Sequence, residues 1–231
     1  MLLQFNCNQQ TKGERMYKLL ILIVPLMLNF NFAQDFELPG LGVYVGGVMG
    51  TASGDAVDDL EDLGYSLSGP MIGATYGTMV GNFPLFMGAG LGARSYAYTG
   101  GHDHDHGDGH DHDEEEDVSV CFQTFDMWAT MPYPINDKMS LYGGMLFGMT
   151  LSGKETHGDE DPEDMEDDEL PGMDMGLVFG LGYTLPVMDD ALALNMGYVI
   201  GLNELESDVP NSDTWSHSGF FMTLNYNIPG M

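Results

Sequence analysis

Large apolar residues alternate with small or polar ones along several segments of the chain. In the clearest segment the apolar positions are Met173, Met175, Leu177, Phe179, Leu181, Tyr183 and Leu185. The positions between them include three glycines, an aspartate and a threonine. A β-strand places successive side chains on opposite faces, so this segment has one apolar face and one small, wettable face. The pattern predicts strands that border an apolar medium on one side only.

This alternation recurs, with interruptions, in eight segments of the chain. They lie at about residues 40–52, 64–80, 84–98, 118–131, 138–152, 172–185, 191–202 and 216–228. Each segment exceeds the ~9–11 residues that a tilted strand needs to cross a bilayer. Pro70 and the stretch 124–126 break the alternation in the second and fourth segments, which predicts bulges or register breaks there.

The connections between these segments alternate between short and long. The long ones lie at 53–63, 99–117, 153–171 and 203–215. They hold 28 of the chain's 36 acidic residues, and only Asp126 and Asp174 fall inside predicted strands. Outer-membrane barrels have short turns at one end, long loops at the other and spans that exclude charge from the lipid face. The predicted fold is therefore all-β, an eight-stranded antiparallel up-and-down transmembrane β-barrel with long acidic outer loops.

A water-soluble barrel or sandwich is the competing architecture. Its solvated face would be the glycine-rich one, and that face would be expected to carry Lys, Glu and Thr. Almost no charge lies inside the eight segments, which favours the membrane barrel. Because side chains just fill the interior of an eight-stranded barrel, a wide aqueous pore is not expected.

The start of the chain has the features of an export signal. A basic start at 16–18 precedes an apolar run at 19–28, and a small residue follows near position 33. This order is typical of a secretory signal peptide, and the run is shorter than the ~20 residues of a membrane-spanning helix. Residues 1–34 are predicted to be a leader with the signal peptide ending at 33 or 34, and residues 35–231 to be the exported barrel.

The charge and the cysteines narrow the possible partners. The formal net charge is −30 at pH 7, which excludes nucleic acid as a partner. Of the two cysteines, Cys7 lies in the predicted leader, so Cys121 is left without an intramolecular disulfide partner.

One basic residue, Arg94, falls well inside a predicted strand. A buried guanidinium needs a carboxylate partner. We therefore expect Arg94 to pair with Asp126 or Asp174 and to plug the lumen, and an anion-selective lumen is the alternative. The other side chains predicted to face inward are Phe86, Tyr96, Tyr98 and Tyr142.

The second long connection carries five of the chain's seven histidines within eleven residues, interleaved with carboxylates. Its candidate metal ligands are His102, His104, His106, His110, His112, Asp103, Asp105, Asp108 and Asp111. Imidazole nitrogen suits Zn²⁺, Ni²⁺ and Cu²⁺, and carboxylates complete a shell or orient a ring. No cofactor is expected to be required, and Zn, Ni or Cu is the expected ligand of this loop. A solvated low-complexity tract and a pH sensor are the alternatives.

A hydrolytic enzyme would need a nucleophile and a base within hydrogen-bonding distance of each other. Ser216 and His217 are the best sequence candidates, but adjacent residues of a strand point to opposite faces. The protein is therefore predicted to be non-enzymatic, with His217 at the rim of the barrel.

The last predicted strand resembles the C-terminal signal that the barrel-assembly machinery reads. Residues 219–228 combine a glycine, alternating apolar residues and a late aromatic, Tyr226. Over about 35–228 the chain is similar to the small outer-membrane β-barrel families, the eight-stranded OmpX-like, OmpW-like and PorT-like proteins. The resemblance implies a location in the outer membrane of a Gram-negative bacterium, with outer-membrane lipid and the barrel-assembly machinery as partners.

These observations predict a non-enzymatic outer-membrane barrel that displays acidic surface loops, one of which captures divalent transition metal ions. The alternative is a structural or adhesive barrel whose loops contact partners or lipopolysaccharide, with no specific metal role.

Overall fold

The computed structural model describes residues 40–53, 66–100, 116–158, 160–166, 170–202 and 216–229. All of them belong to the compact unit Phe36–Met231. The predicted leader, its signal peptide and the nine candidate metal ligands at 102–112 lie outside the described residues.

The described part of the chain folds into β-strands. In chain order they are β1 (Leu41–Ser53), β2 (Ser66–Val80), β3 (Phe83–Gly100), β4 (Glu116–Pro134), β5 (Met139–His157), β6 (Glu163–Asp164), β7 (Met173–Thr184), β8 (Leu192–Gly201) and β9 (Ser216–Asn227). Within these ranges, no helix is long and apolar enough to cross a membrane.

Eight of the strands form a closed antiparallel ring. Neighbours along the chain pair with one another, β5 pairs with β7, and β1 pairs with β9 to close the sheet. Within the ring, closure leaves none of the eight long strands at a sheet edge, so the backbone polar groups there are satisfied by the neighbouring strands. The predicted eight-stranded barrel is confirmed, and every predicted span overlaps an observed strand.

Both predicted register breaks are confirmed. Gly47 faces Pro70 but Met49 faces Leu67, so β2 carries the extra residue. In the second break the extra residue lies in β5 rather than β4, because Gln123 faces Ser152 and Thr124 faces Thr150, which leaves Leu151 unmatched. A bulge is a property of a strand pair, and a single sequence segment does not say which partner carries it.

The two faces of the barrel wall follow the alternation in the sequence. Large apolar side chains such as Phe179, Phe220 and Met222 are exposed on the outside. The rings of Phe179, Tyr198 and Phe220 follow one another across three strands, with centroids 5.9 and 4.6 Å apart. The outer surface is thus the apolar face that a lipid bilayer covers.

The ring has a turn end and a loop end. At the turn end the connections are short, at 81–82, 135–138 and 185–191. At the loop end β3, β4 and β5 extend beyond the other strands, and the pairing continues to Gly100 against Glu116. We call this extension, with β6 along it, the rim sheet.

The outer face of the rim sheet is polar. Along β4 the exposed outward side chains include Ser119 and Gln123, whereas Met127 lies lower on the same face. The change from polar to apolar side chains places the rim sheet outside the apolar band. The two-residue strand β6, which pairs with Lys154 and Glu155 of β5, was not predicted because two exposed acidic residues carry no alternation.

An apolar layer fills the barrel at the loop end. Ala52, Tyr96 and Phe122 form its buried core, and Met165 and Leu170 from the connection after β5 pack against them. The Met165 backbone N–H donates a hydrogen bond of 3.1 Å to the Gly153 carbonyl. The connection between β5 and β7 therefore folds back over the mouth of the barrel.

The closed ring predicts how the protein behaves on a gel. We expect unheated protein in SDS to migrate faster than boiled protein, because a ring without exposed edges keeps its backbone hydrogen bonds until it is heated. Electrophoresis of membrane extracts with and without boiling measures this shift. Recovery of all the protein in a soluble fraction would contradict the membrane barrel.

Candidate functional site

Four buried ionisable side chains meet inside the barrel near the loop end. Arg94 comes from β3, Asp126 from β4, Asp174 from β7 and His217 from β9, and as whole residues none is more than 9% exposed. Each lies on the inward face of its strand because each strand alternates, and closure of the ring brings the four faces together. We call these residues the lumen cluster.

Arg94 and Asp126 make the shortest link between arginine and carboxylate. Arg94 Nη2 donates a hydrogen bond to Asp126 Oδ1 at 2.8 Å. The other Asp126 oxygen, Oδ2, accepts a hydrogen bond of 3.1 Å from the Thr124 hydroxyl. Both carboxylate oxygens of Asp126 are therefore satisfied, as a buried charge requires.

Asp174 and His217 complete the lumen cluster. Asp174 Oδ2 lies 3.5 Å from Arg94 Nη2 and 2.5 Å from His217 Nδ1. Neither contact has the alignment of a hydrogen bond. Asp174 is therefore held by electrostatic attraction to the Arg94 charge and to the dipole of the His217 ring. On its other side the His217 ring accepts a hydrogen bond at Nε2 from Arg94 Nε, at 3.2 Å.

Glycine makes room for the charged side chains. A Cβ atom at Gly148 of β5 would lie 2.8 Å from both Arg94 Nη2 and Asp126 Oδ1. A Cβ atom at Gly92 of β3 would lie 3.1 Å from Asp126 Oδ2. A Cβ atom at either glycine would therefore displace the charged groups of the ion pair.

A cavity of about 80 Å³ adjoins the lumen cluster and extends toward the turn end. The aromatic side chains in its wall are Tyr44, Phe86, Trp128, Tyr142 and Phe221. Aliphatic side chains, Leu146, Val178 and Val199, form a buried cluster beside them. With the apolar layer above and these side chains below, the described lumen is filled in the way expected for eight strands.

The structure brings together the three residues assigned to a lumen ion pair from the sequence. Arg94 contacts both Asp126 and Asp174, where the sequence left the choice between them open. The expected inward positions of Phe86 and Tyr142 are also found, since both line the cavity.

The prediction that His217 lies at the rim was wrong, because the residue is buried in the lumen cluster. It continues the inward series of Thr223 and Asn225 along β9, and extending that alternation backwards would have found it. The neighbouring Ser216 hydroxyl instead lies 3.4 Å from the hydroxyl of Ser53. Because His217 Nε2 accepts its hydrogen bond from Arg94, His217 and Ser216 do not form a pair of catalytic base and nucleophile.

The rim sheet carries polar contacts of a different kind. His157 Nε2 lies 3.4 Å from Glu155 Oε1, and Lys154 Nζ lies 3.3 Å from Asp164 Oδ1 with both side chains more than half exposed. Among the side chains that the structure describes, no three His, Cys, Asp or Glu groups are placed to hold a metal ion.

Comparison with known families identifies the chain. A family model described as outer membrane protein beta-barrel domain matches residues 32–207. The chain belongs to this family of small outer-membrane β-barrels, which lie in the outer membrane of Gram-negative bacteria. Comparison with curated protein sequences finds no match.

Several solved structures are similar to the chain at low sequence identity. Neisserial surface protein A is 10% identical with a TM-score of 0.44, over 82% of this chain and 97% of that one. Ail, the attachment invasion locus protein of Yersinia pestis, is 14% identical with a TM-score of 0.36, over 82% and 100%. OprG from Pseudomonas aeruginosa is 13% identical with a TM-score of 0.36, over 81% and 96%.

The lumen cluster predicts that replacing Arg94 lowers the stability of the barrel much more than replacing Lys154. Arg94→Ala leaves buried carboxylates without their cation and is expected to lower the free energy of unfolding by ~3–5 kcal/mol. Lys154→Ala removes an exposed pair with Asp164 and is expected to cost ~1 kcal/mol or less. Urea titration of the folded barrel in lipid vesicles measures both, and equal midpoints would contradict the role of Arg94.

The packing around the ion pair predicts that two glycine substitutions in β5 differ in their effect on stability. Gly148→Ala forces Arg94 and Asp126 apart and is expected to cost ~1–3 kcal/mol of unfolding free energy. Gly143→Ala is the matched control, because the nearest atom to its Cβ would be 3.8 Å away. If the same urea titration found the two variants equally stable, the steric role of Gly148 would be wrong.

Proposed function

We propose that this protein is a non-enzymatic barrel that displays its loops at the cell surface and captures divalent transition metal ions with the loop between β3 and β4. The observation that carries the proposal is the rim sheet, in which β3 and β4 stay paired up to Gly100 and Glu116, the two residues between which this loop runs.

The lengths of the strands support a display role. β3, β4 and β5 contain 18, 19 and 19 residues, whereas β8 contains 10 and β7 and β9 contain 12 each. The extra residues of β3 and β4 stay paired up to Gly100 and Glu116. The chain between these two positions thus begins and ends at the tip of a hairpin outside the apolar band.

The filled lumen supports display over transport. The lumen cluster and the apolar layer of Tyr96, Phe122 and Met165 lie across the barrel near its loop end. A solute that entered from the turn end would meet buried charges and then an apolar layer. We therefore expect ligands to bind the loops rather than to pass through the lumen.

The composition of the displayed loop supports metal capture. Five histidines within eleven residues can supply the three or four nitrogens that a Zn²⁺ ion takes, with aspartates in reserve. The same ligands suit Ni²⁺ and Cu²⁺ and suit the harder Ca²⁺ and Mg²⁺ poorly. Export by the signal peptide and insertion by the barrel-assembly machinery would deliver this loop to the cell surface.

A structural or adhesive role is the second candidate. It is favoured by the exposed acidic strand β6, whose Asp164 side chain is 84% exposed. Divalent cations could bridge such carboxylates to lipopolysaccharide, and the transition-metal loop would then have no specific role.

Replacement of the loop histidines tests the proposal. We expect the full-length folded barrel to bind Zn²⁺ with micromolar or tighter affinity by calorimetry, and the variant with His102, His104, His106, His110 and His112 all changed to Asn to lose this binding. His157→Asn is the control, because this histidine belongs to the rim sheet and not to the loop. Both variants should keep the gel shift of the folded barrel.

Two further measurements sharpen this test. Binding by the parent should fade below pH ~6, because imidazole must be deprotonated to bind a metal ion. Ca²⁺ should bind much more weakly than Zn²⁺. Undiminished Zn²⁺ binding by the five-histidine variant would end the metal-capture proposal and leave the structural or adhesive role.

A further inference from the structure

The hydrogen bond between Arg94 and His217 fixes the protonation of the histidine. A guanidinium has donors only, so the ring nitrogen that faces Arg94 Nε at 3.2 Å must be an acceptor. The hydrogen-bond network therefore assigns His217 Nε2 as the unprotonated ring nitrogen. The single proton of a neutral imidazole is therefore assigned to the ring's other nitrogen, Nδ1, which lies 2.5 Å from Asp174 Oδ2.

A second proton on His217 improves the charge balance of the lumen cluster. The same proton disrupts the contact between His217 and Arg94. The charged groups are Arg94, Asp126 and Asp174, so one cation faces two carboxylates while the imidazole is neutral. Proton uptake by His217 balances these charges. It also converts His217 Nε2 from an acceptor into an N–H donor, which then faces the N–H group of Arg94 Nε.

The remaining surroundings of His217 do not titrate in the same range. Tyr96 and Tyr44 are ionisable side chains close to the lumen cluster, and tyrosine ordinarily ionises near pH ~10. The neighbouring strands β1, β5 and β8 bring Ala52, Gly148 and Gly201 against the cluster. Between about pH 8 and 5, histidine is the side chain expected to change its charge here.

We propose that His217 is a proton-operated latch on Arg94. In the neutral form Nε2 holds the Arg94 Nε–H group. When a proton from water binds Nε2, that acceptor is lost and Arg94 swings away from His217. The hydrogen bond from Nη2 to Asp126 acts as the pivot, since its 2.8 Å contact does not involve the imidazole.

The cavity beside the lumen cluster has room for water next to His217. Arg94, Asp126 and His217 line its wall, together with the polar side chains of Asn195 and Asn225. Its volume of about 80 Å³ exceeds the ~10–15 Å³ that one water molecule requires. A water molecule in this cavity is the expected source of the proton that binds Nε2.

The sequence makes the latch directly observable. Arg94 is the one arginine after position 15, so the barrel without its leader gives a single arginine Nε–H resonance. In ¹⁵N-labelled barrel in lipid nanodiscs, we expect this resonance to move as the pH falls from 8 to 5. Its midpoint should match that of the His217 ring resonances measured in the same samples.

A neutral isostere tests whether His217 causes the movement. In His217→Gln the side-chain carbonyl can accept from Arg94 and its amide can donate to Asp174, but neither titrates. The Arg94 resonance should then stay in place over the same pH range. His157→Gln is the matched control, and it should move as the parent does.

Each result decides the proposal. An Arg94 resonance that stays in place in the parent while His217 titrates would overturn it, and so would a shift that persists in His217→Gln, which would assign the proton to a carboxylate. If His217→Gln failed to fold, the parent alone would still decide: ¹⁵N shifts that place the proton of the neutral ring on Nε2 at pH 8 would refute the latch.

Discussion

The closing contact between β1 and β9 is the constraint on which the rest of the structure depends. In hydrocarbon an unsatisfied backbone N–H or C=O costs several kcal/mol, so a sheet can cross the membrane only as a ring without edges. Once the ring has eight strands, its interior is narrow and its two faces have opposite requirements. The outside must be apolar and the inside must accommodate every inward side chain. Both the filled lumen and the glycines within it follow from that ring.

The lumen cluster shows how a narrow interior holds charge. Arg94 is buried with two carboxylates and an imidazole around it, and it fits because Gly148 and Gly92 leave the adjacent wall bare. A buried charge without partners would be strongly unfavourable, whereas a paired one also excludes alternative registers of the strands that supply its partners. The same contacts that fill the lumen therefore link β3, β4, β7 and β9. The proton-operated latch adds a response to pH in the part of the barrel that transport would otherwise use.

At the loop end the strands serve a different purpose. β3, β4 and β5 continue after the lipid-facing band ends, so they form a sheet that water covers on its outer face. Met165 and Leu170 cover part of the inner face and seal the barrel below. The rim sheet thus combines two features, since an apolar layer lies in the barrel beneath it while the pairing of β3 with β4 continues past the lipid-facing band to Gly100 and Glu116. This combination is the structural basis of the display function proposed above.

The sequence by itself determined the strands, their faces and the barrel class, because alternation with a period of two is a local property that each segment carries alone. It also pointed to Arg94, since a lone cation in an uncharged span has few acceptable places. Only the tertiary structure decided that Arg94 binds Asp126, Asp174 and His217 together, and that His217 is inside rather than at the rim. It alone revealed the role of Gly148 and the fold-back of Met165 over the mouth. The reason is physical: Arg94 and His217 are 123 positions apart in the chain, and their contact exists only after the ring has closed and set the relative height of every strand.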